Sequence, residues 1–167
     1  MIEMKVAAIA LDAVSRSPIV LLKDATERRA LPIYIGQDQA RSIIAALEQQ
    51  PTPRPLTHDL MVDFFKVWNI KLERVIINAL QDNTFYALLC TKMGKKSKNI
   101  DCRPSDAIAI AVRAGCPIWV MEEVIFDASI PVDTQADEDE RQAFRDFVSQ
   151  LSPEELIRRA RKTSDES

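Results

Sequence analysis

The sequence contains few of the residues on which several common enzyme sites depend. Its 167 residues include only three glycines and one histidine. Dinucleotide-binding and phosphate-binding loops each need at least two glycines at a fixed spacing near a helix start, and neither spacing occurs. Sites that use two or three histidines of one chain to hold a metal are excluded because His58 is the sole histidine. Nucleotide-dependent chemistry is therefore disfavoured.

Cysteine pairs and long apolar segments are also missing. The three cysteines form no C-x-x-C pair and leave one thiol over in any pairing, which suits a reducing compartment. No apolar run reaches the ~18 residues of a membrane-spanning helix. The first residues, MIEMKV, lack the basic and apolar regions of a signal peptide. We therefore expect a cytoplasmic protein with no membrane contact.

Excess positive charge is absent as well. Residues 1–133 carry 16 basic and 16 acidic side chains, whereas residues 134–167 carry 6 and 9, so the net charge of −3 lies in the C-terminal segment. A strongly basic nucleic-acid-binding protein is thus not indicated. The densest basic cluster surrounds Gly94 and is either a solvated hairpin tip or a set of substrate contacts; its members are Lys92, Lys95, Lys96 and Lys98.

The hydrophobic pattern predicts an α+β fold in which strand-strand-strand-helix units occur twice. Short β-prone runs separated by polar turns predict antiparallel meanders, and apolar spacing of three and four residues predicts helices packed on them. The predicted strands cover residues 4–11, 18–23, 30–35, 70–80, 85–92, a segment ending near 100–102, and 117–121. The predicted helices cover residues 37–48, 57–69 with Thr57 as N-cap, and 104–114, with a helical turn at 122–127.

The composition changes near residue 134. The segment ADEDER is followed by apolar residues at helical spacing and then by the capping box Ser152-Pro153-Glu154-Glu155. We therefore predict one antiparallel or mixed β-sheet domain over residues 1–133 and an acidic helical tail over residues 134–167.

The first candidate for chemistry is the polar segment before and within the second helix. Arg54, Thr57, His58 and Asp59 place a guanidinium, an imidazole and a carboxylate within six residues. The positive end of a helix dipole favours the neutral imidazole, which acts as a base. The alternative is structural, because threonine and aspartate are residues that helix starts commonly use.

The second candidate lies where the third strand of the second meander meets the next helix. Backbone N–H groups at this helix start suit an anion such as phosphate, and Arg103 would assist them. Asp101 and Asp106 are oxygen ligands of the kind that hard divalent cations bind. The alternative is again structural, since Arg103 can pair with Asp106 or Asp101.

At these segments the sequence resembles the bifunctional nuclease family. The resemblance covers residues 1–133. It rests on three segments, which in chain order are LPIYIGQDQARSIIAALE (31–48), RPLTHDL (54–60) and DCRPSDAIAIAVRAGCPIWV (101–120). It implies nuclease activity on DNA and RNA, a compact α+β domain and homo-oligomers. The family's polar positions fall on Arg54, Thr57, His58, Asp59, Asp101, Arg103, Ser105 and Asp106. The additional C-terminal motif of the plant members is absent.

Two hypotheses follow. In the first, the protein is a metal-assisted nuclease: Asp59, Asp101 and Asp106 hold Mg²⁺ or Mn²⁺, and His58 transfers a proton. The phosphate backbone is bound by Arg54, Arg103, Ser105, Lys95 and Lys96. This hypothesis requires the two helix starts to meet in space. In the second, the protein is a non-enzymatic homo-oligomeric binding module whose polar clusters serve as helix caps and interface contacts.

Overall fold

The computed structural model describes residues 1–26 and 28–132, which form eight strands and four helices. The first meander is β1 (Ile2–Leu11), β2 (Pro18–Asp24) and β3 (Arg29–Tyr34), followed by α1 (Gln37–Leu47) and α2 (Thr57–Val67). The second meander is β4 (Lys71–Gln81), β5 (Thr84–Met93) and β6 (Lys96–Cys102), followed by α3 (Pro104–Ala114). The last elements are β7 (Ile118–Val120), α4 (Glu122–Ala128) and β8 (Ile130–Pro131).

All eight strands form one mixed sheet in the order β6-β5-β4-β7-β1-β2-β3-β8. Strand β7 joins the two meanders, because it pairs antiparallel with β1 and parallel with β4. Ile118 lies opposite Met4 on one side and Val75 on the other, and all three side chains are buried. The three residues of β7 thus complete the core between the two meanders.

The sheet is strongly curled. Helix α4 contacts both β3 and β4, which lie four places apart in the strand order. In a flat sheet those strands would be separated by about 19 Å, because neighbours are spaced by about 4.8 Å. A helix of only seven residues reaches both, so the two halves of the sheet bend toward each other.

Of the four helices within residues 1–132, α3 is the most deeply buried. It contacts α1 and α2 as well as β4 and β5, and the residues from Ala107 to Ala111 are all buried. It begins with Pro104 at its first turn and ends at Gly115, whose φ of 65° and ψ of 30° are left-handed. The apolar run, the proline start and the glycine stop predicted from the sequence are confirmed.

The predicted α+β class and the repeated strand-strand-strand-helix order are confirmed, and a few details differ. Thr57 was predicted as the N-cap of α2, but the N-cap is Leu56, because the Asp59 carboxylate accepts the Leu56 N–H at 2.8 Å. The predicted helical turn at 122–127 is the helix α4, and β8 was not predicted. The predicted helices of the acidic tail lie outside the described residues.

The described part of the chain contains no helix long and apolar enough to cross a membrane. Its three cysteines are free thiols, of which Cys90 is buried and Cys102 and Cys116 are partly buried. Burial raises the pKa of the Cys102 thiol to about 12 and that of Cys116 to about 11. Both thiols therefore stay protonated and behave as small apolar side chains.

Candidate functional site

The two polar clusters predicted from the sequence meet between α2 and α3. His58, the second residue of α2, bonds through Nε2 to Asp106 Oδ1 at 3.1 Å, across 48 positions of sequence. Arg103, the N-cap of α3, donates to the same carboxylate from Nε at 2.7 Å and from Nη2 at 3.1 Å. A histidine, an aspartate and an arginine thus form one group, and the meeting of the helix starts that the nuclease hypothesis requires is present.

Ser42 of α1 completes this group and was not predicted. Its Oγ lies 2.7 Å from His58 Nδ1, and the serine is 7% exposed. An ionised carboxylate only accepts hydrogen bonds, so the hydrogen of the neutral ring is on Nε2, facing Asp106. His58 Nδ1 then accepts a hydrogen bond from the Ser42 hydroxyl. Hydroxyl, imidazole and carboxylate are therefore connected in the order found in hydrolase triads.

The charge state of the Asp106 carboxylate is set by two opposing effects. Partial burial raises its pKa, but hydrogen bonds from Arg103 and His58 and the positive charge of Arg103 outweigh burial, so the pKa lies below its ordinary value. The same hydrogen bond raises the pKa of Arg103. Asp106 is therefore an ionised carboxylate at neutral pH, paired with an arginine whose side chain is 68% exposed.

Asp59 has a different set of partners, although it follows His58 directly. Its Oδ2 accepts the Leu56 N–H, and its Oδ1 accepts from Arg113 Nε at 2.5 Å. Arg113 also donates to the carbonyl oxygens of Ser42 and Ala109, both at 3.0 Å, and its side chain is 8% exposed. Burial raises the Asp59 pKa, but the hydrogen bonds from Arg113 and Leu56 outweigh burial, so the pKa lies below its ordinary value. Asp59 and Arg113 thus tie the three helices together.

A cleft of about 530 Å³ is lined by Arg103, which is the one member of the His58–Asp106–Arg103 group in its wall. The starts of α1 and α3 both line it, through Gly36 and Arg103, which are the N-caps of the two helices. Neither N-cap side chain accepts a hydrogen bond from the backbone N–H groups at the start of its own helix. The positive ends of two helix dipoles therefore face one cleft, beside an arginine, which is an arrangement suited to an anion. Ser105, a predicted substrate contact, is buried at its wall.

The other predicted site residues form no hydrogen bond or ion pair with this group. Arg54 is exposed in the loop before α2, and Asp101 is exposed on β6, opposite Leu88. Lys95 and Lys96 lie at the β5–β6 turn, at the opposite end of β6 from Arg103. At about 3.3 Å per residue the strand separates the two ends by about 20 Å. Lys95 and Lys96 thus cannot contact the same phosphate as Arg103.

The carboxylates predicted to hold a divalent cation do not form a metal site in this arrangement. Asp59 and Asp106 are each bound by an arginine. Within residues 1–26 and 28–132, no three acidic, histidine or cysteine side chains are grouped so as to hold a metal ion. The set Asp59, Asp101 and Asp106 does not fit the predicted Mg²⁺ or Mn²⁺ as it stands, so a divalent-metal requirement stays a prediction for activity assays.

Comparison with known proteins places this arrangement in a family. Residues 20–133 match the bifunctional nuclease domain. The chain belongs to the bifunctional nuclease domain family. The match covers both polar clusters, Ser42 and every residue that lines the cleft except Ser17. It also confirms the family resemblance of the three sequence segments.

Two kinds of relatives share this domain. An uncharacterised protein of Mycobacterium tuberculosis is 39% identical over 164 residues, covering 92% of the chain and 97% of that protein. Bifunctional nuclease 1 of Oryza sativa is 27% identical over 124 residues, and bifunctional nuclease 2 of Arabidopsis thaliana is 29% identical over 119 residues. The chain spans only 38% and 36% of the lengths of these two plant proteins.

Sequence reasoning found His58, Arg103 and Asp106 but missed Ser42 and Arg113. A single serine next to Ile43 and a single arginine near the end of a helix carry no chemical signal of their own. Both lie within segments that carry the family resemblance, and this is the signal in the sequence that points to them.

Proposed function

We propose that this protein is a nuclease that hydrolyses phosphodiester bonds of DNA and RNA at the cleft beside Arg103. The observation that carries the proposal is the His58–Asp106 hydrogen bond, which unites two polar clusters from distant parts of the sequence. The family and the names of the plant relatives support the same reaction class.

Arg103 and the two helix starts bind the scissile phosphate in this proposal. Arginine has five N–H donors, and Asp106 uses only two of those of Arg103. The remaining donors and the N–H groups at the starts of α1 and α3 surround one side of the cleft. Donors fixed before substrate arrives stabilise the charge that develops on the phosphoryl oxygens.

Proton transfer is assigned to His58. As the water oxygen bonds to phosphorus, the Ser42 hydroxyl takes up the water proton and passes its own proton to His58 Nδ1, and Asp106 stabilises the resulting imidazolium ring. The proton then returns to the leaving oxygen as the bond between phosphorus and that oxygen breaks. Asp106 also holds Arg103 in position. Asp59 acts indirectly here, because its contacts with Leu56 and Arg113 fix the start of α2, on which His58 lies.

The outlying basic residues contact more distant phosphates. One lysine of this cluster has an ion-pair partner, because Lys92 Nζ lies 4.0 Å from Glu73 Oε1. Among the described residues there is no such partner for the other three, which are Lys95, Lys96 and Lys98. A strand of nucleic acid bound at Arg103 and running along β6 would bring other phosphates to this turn. These contacts are independent of base sequence and weaken with salt.

The test is cleavage of end-labelled single-stranded DNA and RNA in Mg²⁺, in Mn²⁺ and in EDTA. The chain is compared with His58→Ala, Asp106→Ala and the control Arg41→Ala, which alters an exposed ion pair on α1. We expect the first two variants to lose about 100-fold or more in rate and the control to keep its rate. Inhibition by EDTA would establish the predicted metal requirement. Equal cleavage by all proteins would overturn the proposal.

The exposed apolar face of α2 favours a second candidate function, a homo-oligomeric binding module. Four large side chains on this helix and its C-cap are more than half exposed: Leu60 (63%), Phe64 (51%), Val67 (75%) and Trp68 (61%). Such a patch is typical of interaction surfaces. Sedimentation of the chain and of Phe64→Glu tests it: an oligomer that dissociates in the variant, together with no cleavage, would favour this function over the nuclease.

A further inference from the structure

The cleft beside Arg103 has a second set of side chains that phosphate binding does not use. Two aromatic residues line it, Tyr34 at the end of β3 and Phe85 in β5. Two residues with side-chain amides line it as well, Gln39 in the first turn of α1 and Asn83 in the β4–β5 turn. Among the residues lining the cleft, Arg103 is the only charged one. Its volume of about 530 Å³ is far larger than a phosphate group needs.

This combination is one that unpaired nucleobases bind. Proteins that recognise single-stranded nucleic acid stack bases on aromatic rings and bind their Watson–Crick edges with amide groups. An amide carries both donors and an acceptor, as a base edge does. The arginine next to these groups is placed for the phosphate attached to the same nucleotide.

The local backbone holds the polar groups in place. Asp82 and Asn83 both have positive φ values, of 48° and 59°, which define a tight turn at the tip of the β4–β5 hairpin. The Tyr34 hydroxyl donates to Asp12 Oδ2 at 3.1 Å, so the ring is fixed from its far end. Gly36 leaves room for Gln39, since a Cβ at position 36 would collide with the Gln39 amide oxygen.

We infer that this cleft is a nucleobase subsite that receives one unpaired base next to the phosphate bound by Arg103. The inference rests on the proposed function, because it assigns part of the substrate to the same site. A base stacked and paired in a duplex cannot enter a cleft between a helix start and a hairpin tip. Single-stranded segments, loops and ends are therefore the substrates that the subsite admits.

The experiment measures binding rather than cleavage. Isothermal titration compares adenosine 5′-monophosphate and uridine 5′-monophosphate with ribose 5-phosphate, which keeps the sugar and the phosphate but lacks the base. The proteins are the full chain, Tyr34→Ala, Gln39→Ala and Tyr86→Ala. Tyr86 is the matched control, because it is an exposed aromatic residue that follows Phe85 and therefore points to the opposite face of the sheet.

We expect at least one nucleotide to bind ten-fold or more tightly than ribose 5-phosphate. Tyr34→Ala should lose most of this difference, Gln39→Ala should reduce it, and Tyr86→Ala should keep it. Equal affinities for nucleotide and ribose 5-phosphate, or absence of binding, would overturn the subsite. An equal loss in Tyr34→Ala and Tyr86→Ala would overturn it too.

Failure of the subsite and failure of the nuclease proposal give different results. A nucleotide preference that depends on Tyr34, in a protein without cleavage activity, would retain the subsite and remove the nuclease. Cleavage that depends on His58 and Asp106, with no preference for nucleotides over ribose 5-phosphate, would retain the nuclease and remove the subsite.

Discussion

At the scale of single residues, His58 of α2 is connected to two other helices, α1 and α3, by one hydrogen bond each. Its ring lies on α2, its Nδ1 partner Ser42 lies on α1 and its Nε2 partner Asp106 lies on α3. Because Asp106 is ionised, the bonds fix both the tautomer and the orientation of the ring. The site therefore depends on a serine that has no obvious chemical role in the sequence.

The tautomer of His58 is directly measurable, since the chain contains no other histidine. Long-range ¹H–¹⁵N correlation spectra give a single set of imidazole signals. We expect the neutral ring to carry its proton on Nε2 in the unsubstituted chain and in Ser42→Ala, which removes only the donor to Nδ1. A neutral ring protonated on Nδ1 in the unsubstituted chain would contradict the hydrogen-bond assignment.

Arg113 stabilises the packing of the three helices that carry the site. Substitution by methionine leaves Asp59 Oδ1 and the Ser42 carbonyl oxygen without the donors of Arg113. We expect the free energy of unfolding to fall by about 1–3 kcal/mol. We expect the lower part of this range, because the Asp59 side chain is 33% exposed and solvent screens its ion pair. Urea unfolding of Arg113→Met, with Arg41→Met as a surface control expected to stay within about 0.5 kcal/mol, checks this. Equal stability of both variants would contradict it.

Acid stability follows from the lowered pKa values of Asp59 and Asp106. At pH values near the ordinary aspartate pKa of about 3.9, the unfolded chain binds more protons than the folded chain, because both pKa values are lower in the folded state. The stability that these ionised groups contribute is therefore complete above about pH 5 and is lost as the pH falls through their folded values. We expect Asp106→Asn to show a smaller loss of unfolding free energy between pH 6 and pH 3 than the unsubstituted chain. An unchanged pH dependence would contradict the assignment.

At the scale of elements, local sequence determined most of the strands and helices. Prolines and the apolar residues of α1, which are spaced by three and four positions, indicated where the helices lie. Polar turns indicated where the strands begin and end. A strand was predicted at residues 117–121, which include β7, but the pairing of β7 was not predictable, because its three residues carry no pairing information of their own. Its place between β1 and β4 depends on contacts with residues more than 40 and more than 110 positions away, which local patterns cannot encode.

Gly115 tests how the buried helix α3 ends. Its φ of 65° is unfavourable for residues with a Cβ, although an added Cβ would meet no neighbouring atom within 4 Å. Gly115→Ala should therefore lower the unfolding free energy by about 1 kcal/mol through backbone strain alone. Gly115→Asn should cost less, because asparagine tolerates this conformation better. Urea unfolding that finds the alanine variant as stable as the unsubstituted chain would contradict this explanation.

At the scale of the whole molecule, the curled sheet and the helices on it bring together segments that are far apart in the sequence. Sequence analysis identified both polar clusters, because helix starts have recognisable residues. It could not show that they meet, since α2 and α3 are separated by the entire second meander. The same long-range packing places Tyr34 of the first meander and Phe85 of the second in one cleft. Each of the two meanders therefore contributes residues to the cleft of the proposed site.

The central claim is that His58 and Asp106 act as one unit, and a double-mutant cycle on the cleavage rate tests it most directly. Residues that act together lose most of their effect with the first substitution. We predict that the variant carrying both His58→Ala and Asp106→Ala cleaves single-stranded nucleic acid no more slowly than the slower single variant. A double variant whose loss equals the product of the two single losses would contradict the claim, because the residues would then act independently.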